Sequence, residues 1–151
     1  MTIQAKLEVV TVPVADPDRS LHFYRDQVGF VLDVDYAPTP QFRVVQLTPP
    51  GSGASIQFGV GLTDAMPGSL RGIYLVVSDI EGYRDELIGR GVAVGDIVHK
   101  DADGGWRGGF RAGVDPNRSD YASFADFLDP DGNSWRLQER DYLPTTTHER
   151  D

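Results

Sequence analysis

The chain has no cysteine. Disulfides, iron–sulfur clusters, thiolate nucleophiles and cysteine-ligated zinc are therefore excluded, and the redox compartment is left open. Positive charge is also in deficit. Fourteen Lys and Arg stand against 23 Asp and Glu, for a net charge of −9. No basic stripe supplies the attraction that phosphate backbones require, so nucleic acid is not an expected partner. No apolar run approaches the ~20 residues of a membrane-spanning helix. Met1 to Leu7 lacks the basic and then apolar order of a secretory signal. The expectation is a cytoplasmic protein with no membrane partner. What is present is ordinary for a folded globule: 40% hydrophobic and 25% charged residues over 151 positions. That length makes about one domain, able to bury a core unaided.

Two stretches of the chain repeat one pattern. Leu7–Val14 is β-rich, and Asp16-Pro17-Asp18 follows as N-cap, first-turn proline and first-turn acid. Leu21, Tyr24 and Val28 recur at helical spacing, and Gly29 stops the helix. Strands are predicted at Phe30–Tyr36, Phe42–Leu47 and Ala54–Phe58. The second stretch begins with a strand at Ile73–Val77, then a helix capped by Ser78-Asp79 with Ile80, Tyr83 and Leu87 on its apolar face. Strands at Val92–Val98, Tyr121–Leu128 and Ser134–Gln138 complete it. The final pair flanks Asp129-Pro130-Asp131-Gly132-Asn133, a tight-turn sequence. Read coarsely, the order is βαβββ twice, which points to two fused copies rather than a solenoid. The expected organisation is one domain over residues 1–140, with modules at about 6–60 and 71–139, and a polar tail at 141–151.

Lys100 to Asp120 breaks the pattern. It is long, holds five glycines, and carries Trp106, Arg107, Phe110, Arg111 and Arg118. It is either a surface loop with one aromatic anchor or a lid over a pocket. Its aspartates lack the spacing of a calcium loop.

The pieces Val12-Pro13-Val14-Ala15-Asp16, Ser20-Leu21-His22-Phe23-Tyr24, Val76-Val77-Ser78-Asp79 and Phe127 to Asn133, in that order, give the chain a resemblance. It resembles the vicinal oxygen chelate superfamily: glyoxalase I, bleomycin-resistance proteins, fosfomycin-resistance enzymes and extradiol dioxygenases. The resemblance spans about Lys6 to Glu139. It implies an α+β fold, with two βαβββ modules forming a curved mixed sheet around a ligand cleft and one helix behind each module. It also implies a homodimer. The family's four metal-ligand positions correspond to Val9, Gln57, Ile73 and Arg136. Two are aliphatic, one is an amide and one is a permanent cation, whereas a catalytic metal needs about three His or carboxylate ligands. A one-residue slip would bring in Glu8 but turn the apolar faces outward. No metal and no cofactor are therefore expected.

Candidate residues follow from this placement. Arg136 either grips an oxygen of a ligand with a forked pair of hydrogen bonds or pairs with Glu8, Asp126 or another acid. Gln57 lies between Ile56 and Phe58, and either meets a ligand or satisfies a neighbouring strand. His99 is the one histidine suited to a general base, with an ordinary pKa of about 6.5; otherwise it anchors a strand end. Tyr121 and Ser123 alternate toward one face as cleft lining. Trp106 and Phe110, with Arg107, either cap a planar ligand or seal the core. The expectation is a metal-independent protein that binds a small organic molecule in the manner of bleomycin-resistance proteins. The alternative is a metal-free lyase, isomerase or cyclase in which Arg136 and Gln57 polarise a carbonyl. A vestigial interaction domain, and a metal-dependent glyoxalase or dioxygenase, stand behind these.

Overall fold

The computed structural model describes residues 2–101 and 109–145. They form two compact units. The first contains the chain up to Leu70 together with Asp129–Asn133, and the second contains Arg71–Leu128 and the chain from Ser134 onward.

Unit 1 is built on β1 (Val9–Thr11), α1 (Pro17–Leu21), β2 (Val31–Thr39), β3 (Phe42–Thr48) and β4 (Ser55–Val60). The strands form one sheet in the order β1-β4-β3-β2, with β1 parallel to β4 and the other pairs antiparallel. Asp16 starts α1 as expected: its carboxylate accepts from the backbone N–H of Asp18 and Arg19. The helix does not continue in α form. His22–Val28 is π-helical and ends at Gly29, whose φ of +95° suits a residue without Cβ. The wider turn rotates less per residue, so Phe23 joins the expected Leu21, Tyr24 and Val28 in the core. Strands β3 and β4 alternate as a half-buried sheet should: Val45, Leu47, Ile56 and Phe58 point inward. At Gly59 a Cβ would lie 1.8 Å from the carbonyl oxygen of Arg43, so the sheet itself requires glycine there.

The Asp129–Asn133 turn is a polar hub of unit 1. Asp129 is 5% exposed and accepts from the Tyr24 hydroxyl, the Asn133 side-chain amide and the backbone N–H of Asp131 and Asn133. Asn133 also donates to the Pro13 carbonyl and accepts from the Leu70 N–H. Asp131 accepts from the Ala15 N–H and from Arg19.

Unit 2 contains β5 (Ile73–Val77), α2 (Ile80–Gly89), β6 (Val98–Lys100), β7 (Phe110–Ala112), β8 (Ser123–Leu128) and β9 (Ser134–Glu139). Its sheet has the order β5-β9-β8-β6-β7, with β5 parallel to β9. Helix α2 packs on β8 and β9. Ile80, Leu87, Ala125, Phe127, Trp135 and Leu137 make the core, and the Phe127 and Trp135 rings stack 5.9 Å apart.

Three expectations are corrected here. The predicted strand over Val92–Val98 is reduced to a single bridge at Val94 and to β6, which starts at Val98. The segment after Lys100 supplies an extra strand, β7, so the second copy is βαββββ rather than βαβββ. Tyr121 has a φ of +64° and lies in a turn before β8, so the Tyr121/Ser123 alternation does not form. The first five residues of the tail are also anchored in unit 2. Leu143 N–H donates to the Ser78 carbonyl, and the N–H and hydroxyl of Thr145 both donate to Asp79. No helix among the described residues is long and apolar enough to cross a membrane.

Candidate functional site

One face of each sheet is closed by core side chains and the other carries polar and half-exposed groups. In unit 2 the period of β9 decides this: Trp135, Leu137 and Glu139 are buried, while Ser134, Arg136 and Gln138 are only partly covered. The pairing register then sets a row across three strands, Tyr74 on β5, Arg136 on β9 and Asp126 on β8. Arg136 meets Asp126 as a fork, Nε to Oδ1 at 2.7 Å and Nη2 to Oδ2 at 2.9 Å. Its guanidinium also lies 5.3 Å from the centre of the Phe124 ring. The fork with Asp126 raises the pKa of Arg136 further, against the opposing effect of burial, and Tyr74 adds to the rise. The group is a fixed cation whose charge is answered in place.

A cavity of about 250 Å³ opens over this row, lined by Gly72, Tyr74, Asp126, Ser134, Trp135 and Arg136. Ser134 Oγ accepts from the Gly72 N–H, which orients it at the cavity edge. Tyr74, Val76, Phe110 and Leu128 are large and about half exposed. Tyr74 is not among the candidates read from the sequence, and Asp126 enters there only as one possible partner of Arg136. Alternation marks Tyr74 as outward-facing, but only the parallel pairing of β5 with β9 puts it beside Arg136.

The other candidates are each committed within their own unit. Gln57 Nε2 donates to Thr11 Oγ1 at 2.9 Å, across the β1–β4 pair. A second cavity, about 170 Å³, lies against Thr11 and the segment from Leu62 to Ala65. His99 Nδ1 bonds the Gly113 carbonyl at 2.8 Å. A carbonyl only accepts, so Nδ1 carries the proton and a neutral ring keeps Nε2 as its acceptor. Ser123 is fully buried, and its Oγ accepts from the Asp115 N–H, which fastens the preceding loop. Tyr121 is half exposed, with Arg140 donating to its hydroxyl and Gln138 to its carbonyl. Phe110 stands edge-on to Phe124 at 5.8 Å, with half its surface open. Trp106 and Arg107 lie outside the described residues.

The resemblance assigns metal-ligand positions to Val9, Gln57, Ile73 and Arg136. Val9 and Ile73 offer only hydrocarbon, the Gln57 amide donates to Thr11, and Arg136 is a cation forked to a carboxylate. Among the described residues, no three His, Cys, Asp or Glu side chains converge in a group that could hold a metal ion.

Comparison with known proteins accords with this architecture. Residues 6–137 match the Glyoxalase/Bleomycin resistance protein/Dioxygenase superfamily. Among solved structures, the chain is similar to TnmS3, an antibiotic binding protein from Streptomyces sp. CB03234. The two are 29% identical, with a TM-score of 0.68 over 92% of this chain and 98% of that one. A glyoxalase/bleomycin resistance protein from the same organism is 30% identical, with a TM-score of 0.65 over 88% and 99% of the two chains. A superfamily member from Sphaerobacter thermophilus DSM 20745 is 26% identical, with a TM-score of 0.68 over 91% and 98%. No curated protein matches the chain. With a family match running through both sheets and both helices, the chain belongs to the Glyoxalase/Bleomycin resistance protein/Dioxygenase superfamily.

Proposed function

We propose that the protein binds a small organic molecule without a metal, in the manner of the antibiotic-binding members of its superfamily. The observation that carries this reading is the state of Arg136 and Gln57. Both stand at family metal positions, and both are tied to a neighbour rather than held free for an ion. Around Arg136 the sheet leaves aromatic and aliphatic surface open, with Tyr74, Val76 and Phe110 about half exposed. A few fixed polar groups within apolar lining is how organic ligands are gripped and oriented. The similarity to TnmS3 supports an antibiotic-like ligand.

The enzymatic alternative, a lyase, isomerase or cyclase, draws less support. An Arg136 guanidinium answered by Asp126 is a weaker electrophile for a developing enolate than a free one. His99, the proposed base, is not among the residues that line the Arg136 cavity. We take the working form to be a cytoplasmic homodimer. Support for the dimer comes from edge strand β2, where Val31, Val34 and Tyr36 remain exposed.

The test is native mass spectrometry of freshly purified protein, then thermal-shift screening with bleomycin, other antibiotics, small carboxylic acids and carboxamides, and divalent metals. A co-purified or stabilising organic molecule in metal-free buffer is expected, since a ligand specific for the folded state raises its stability. Stabilisation by divalent metals alone would refute the reading.

A further inference from the structure

Arg136 invites the expectation of a carboxylate or phosphate ligand, and the geometry argues otherwise. An arginine carries five N–H groups, and the Asp126 fork engages two of them at 2.7 and 2.9 Å. The fork occupies one planar edge of the guanidinium, an edge that would otherwise grip a ligand anion. Any anion approaching the other edge also meets the Asp126 carboxylate, whose side chain is 54% exposed on the same face. The chain as a whole carries a net charge of −9, which adds to that repulsion. A cation, in turn, meets Arg136. The pair is neutral in sum but strongly polar, with donors and acceptors side by side.

Those groups are arranged for a ligand that both gives and takes hydrogen bonds. Beyond the fork, Arg136 also donates to the Tyr74 hydroxyl; its remaining hydrogens and the Ser134 hydroxyl donate to a ligand, and the outer lone pairs of Asp126 accept. Tyr74, 52% exposed, offers a ring face and a hydroxyl at the same cavity. The volume, about 250 Å³, falls below the roughly 300–1,000 Å³ of a whole ligand site, so it suits one group of a ligand.

We propose that the Tyr74–Asp126–Ser134–Arg136 cavity is a subsite for a neutral carboxamide or lactam group, with Asp126 as the residue that turns carboxylates away. The proposal rests on the binding reading above and gives that site its ligand chemistry. Asp126 acts as a charge gate: it leaves Arg136 able to donate while removing its pull on anions.

The experiment compares 2-naphthamide with 2-naphthoate, which differ in one group. Binding is followed by titration calorimetry and by the Arg136 Nε–H resonance of ¹⁵N-labelled protein, for the native chain and for Asp126→Ala. Asp126 is exposed enough for its removal to leave the fold intact, which the amide spectrum verifies. The native chain should favour the amide by about tenfold, and Asp126→Ala should reverse this by a similar factor. A native preference for the carboxylate, or a preference unchanged in Asp126→Ala, overturns the proposal. If both probes bind without moving the Arg136 resonance, the subsite is refuted and the binding reading stands. If neither binds at millimolar concentration, and the antibiotic and metal screen is also blank, both fall.

Discussion

Tyr24 and Asp129 are 105 residues apart in the chain and are joined by a buried hydrogen bond of 2.7 Å from the phenol to the carboxylate. The bond belongs to a set of four donors that converge on Asp129. Tyr24→Phe removes one donor and leaves the ring packing, so it should cost about 1.5 kcal/mol. Asp129→Ala strands several buried donors and should cost about 3–5 kcal/mol. Urea unfolding of both variants measures this. Equal costs for the two would contradict the contribution assigned to the other three donors.

Asp79 caps α2 through the Gly82 N–H and also holds Thr145 of the tail. Burial pushes its pKa up, but the bonds from Thr145 and Gly82 outweigh that and hold it below its ordinary 3.8. A lowered carboxyl contributes stability above its unfolded pKa and loses it as pH falls through the folded one. Asp79→Ala should therefore cost about 1–2 kcal/mol near neutrality and much less in strong acid. Denaturant midpoints across pH check it; a cost independent of pH would contradict the assignment.

Glu139 behaves in the opposite sense. It is 1% exposed, accepts from the Ile80 N–H at 2.9 Å and has Arg118 Nε 3.4 Å from its other oxygen. Burial raises its pKa above the ordinary 4.5, and the Ile80 and Arg118 contacts only partly offset this. A raised carboxyl contributes stability in full below the unfolded pKa, and that contribution is lost as pH rises through the folded value. The melting temperature of the native chain relative to Glu139→Gln should thus fall as pH rises from about 4.5 toward neutrality. A flat difference, or one that grows with pH, would show Glu139 ionised at little cost.

Metal removal should have no effect on stability. Exhaustive dialysis against EDTA is expected to leave the melting curve unchanged, and added Zn²⁺, Ni²⁺ or Mn²⁺ should not raise it. Elemental analysis giving a full equivalent of divalent metal per chain would require ligands other than those at Val9, Gln57, Ile73 and Arg136.

Much of this protein was legible in local sequence, because the signals involved act over a few residues. The caps at Asp16 and Asp79, the stop at Gly29 and the inward alternation of Trp135 and Leu137 depend on backbone geometry and burial period alone. The repeat and its family likeness followed from the order of such signals. Three features were decided only by tertiary structure. The π-helical turn after Leu21 buries Phe23 together with Tyr24, a departure from α-helical spacing that no local signal announces. The extra strand β7 forms because Phe110–Ala112 finds an open partner in β6, a pairing that no periodicity announces. The candidate site shows the limit most plainly. Arg136 stands out from its sequence position, but local sequence leaves several acids as its possible partner. Strand register chose Asp126, and parallel pairing with β5 brought Tyr74 alongside. Local sequence can say which way a side chain points. Which charge it meets there depends on residues far along the chain, and so does the ligand it selects.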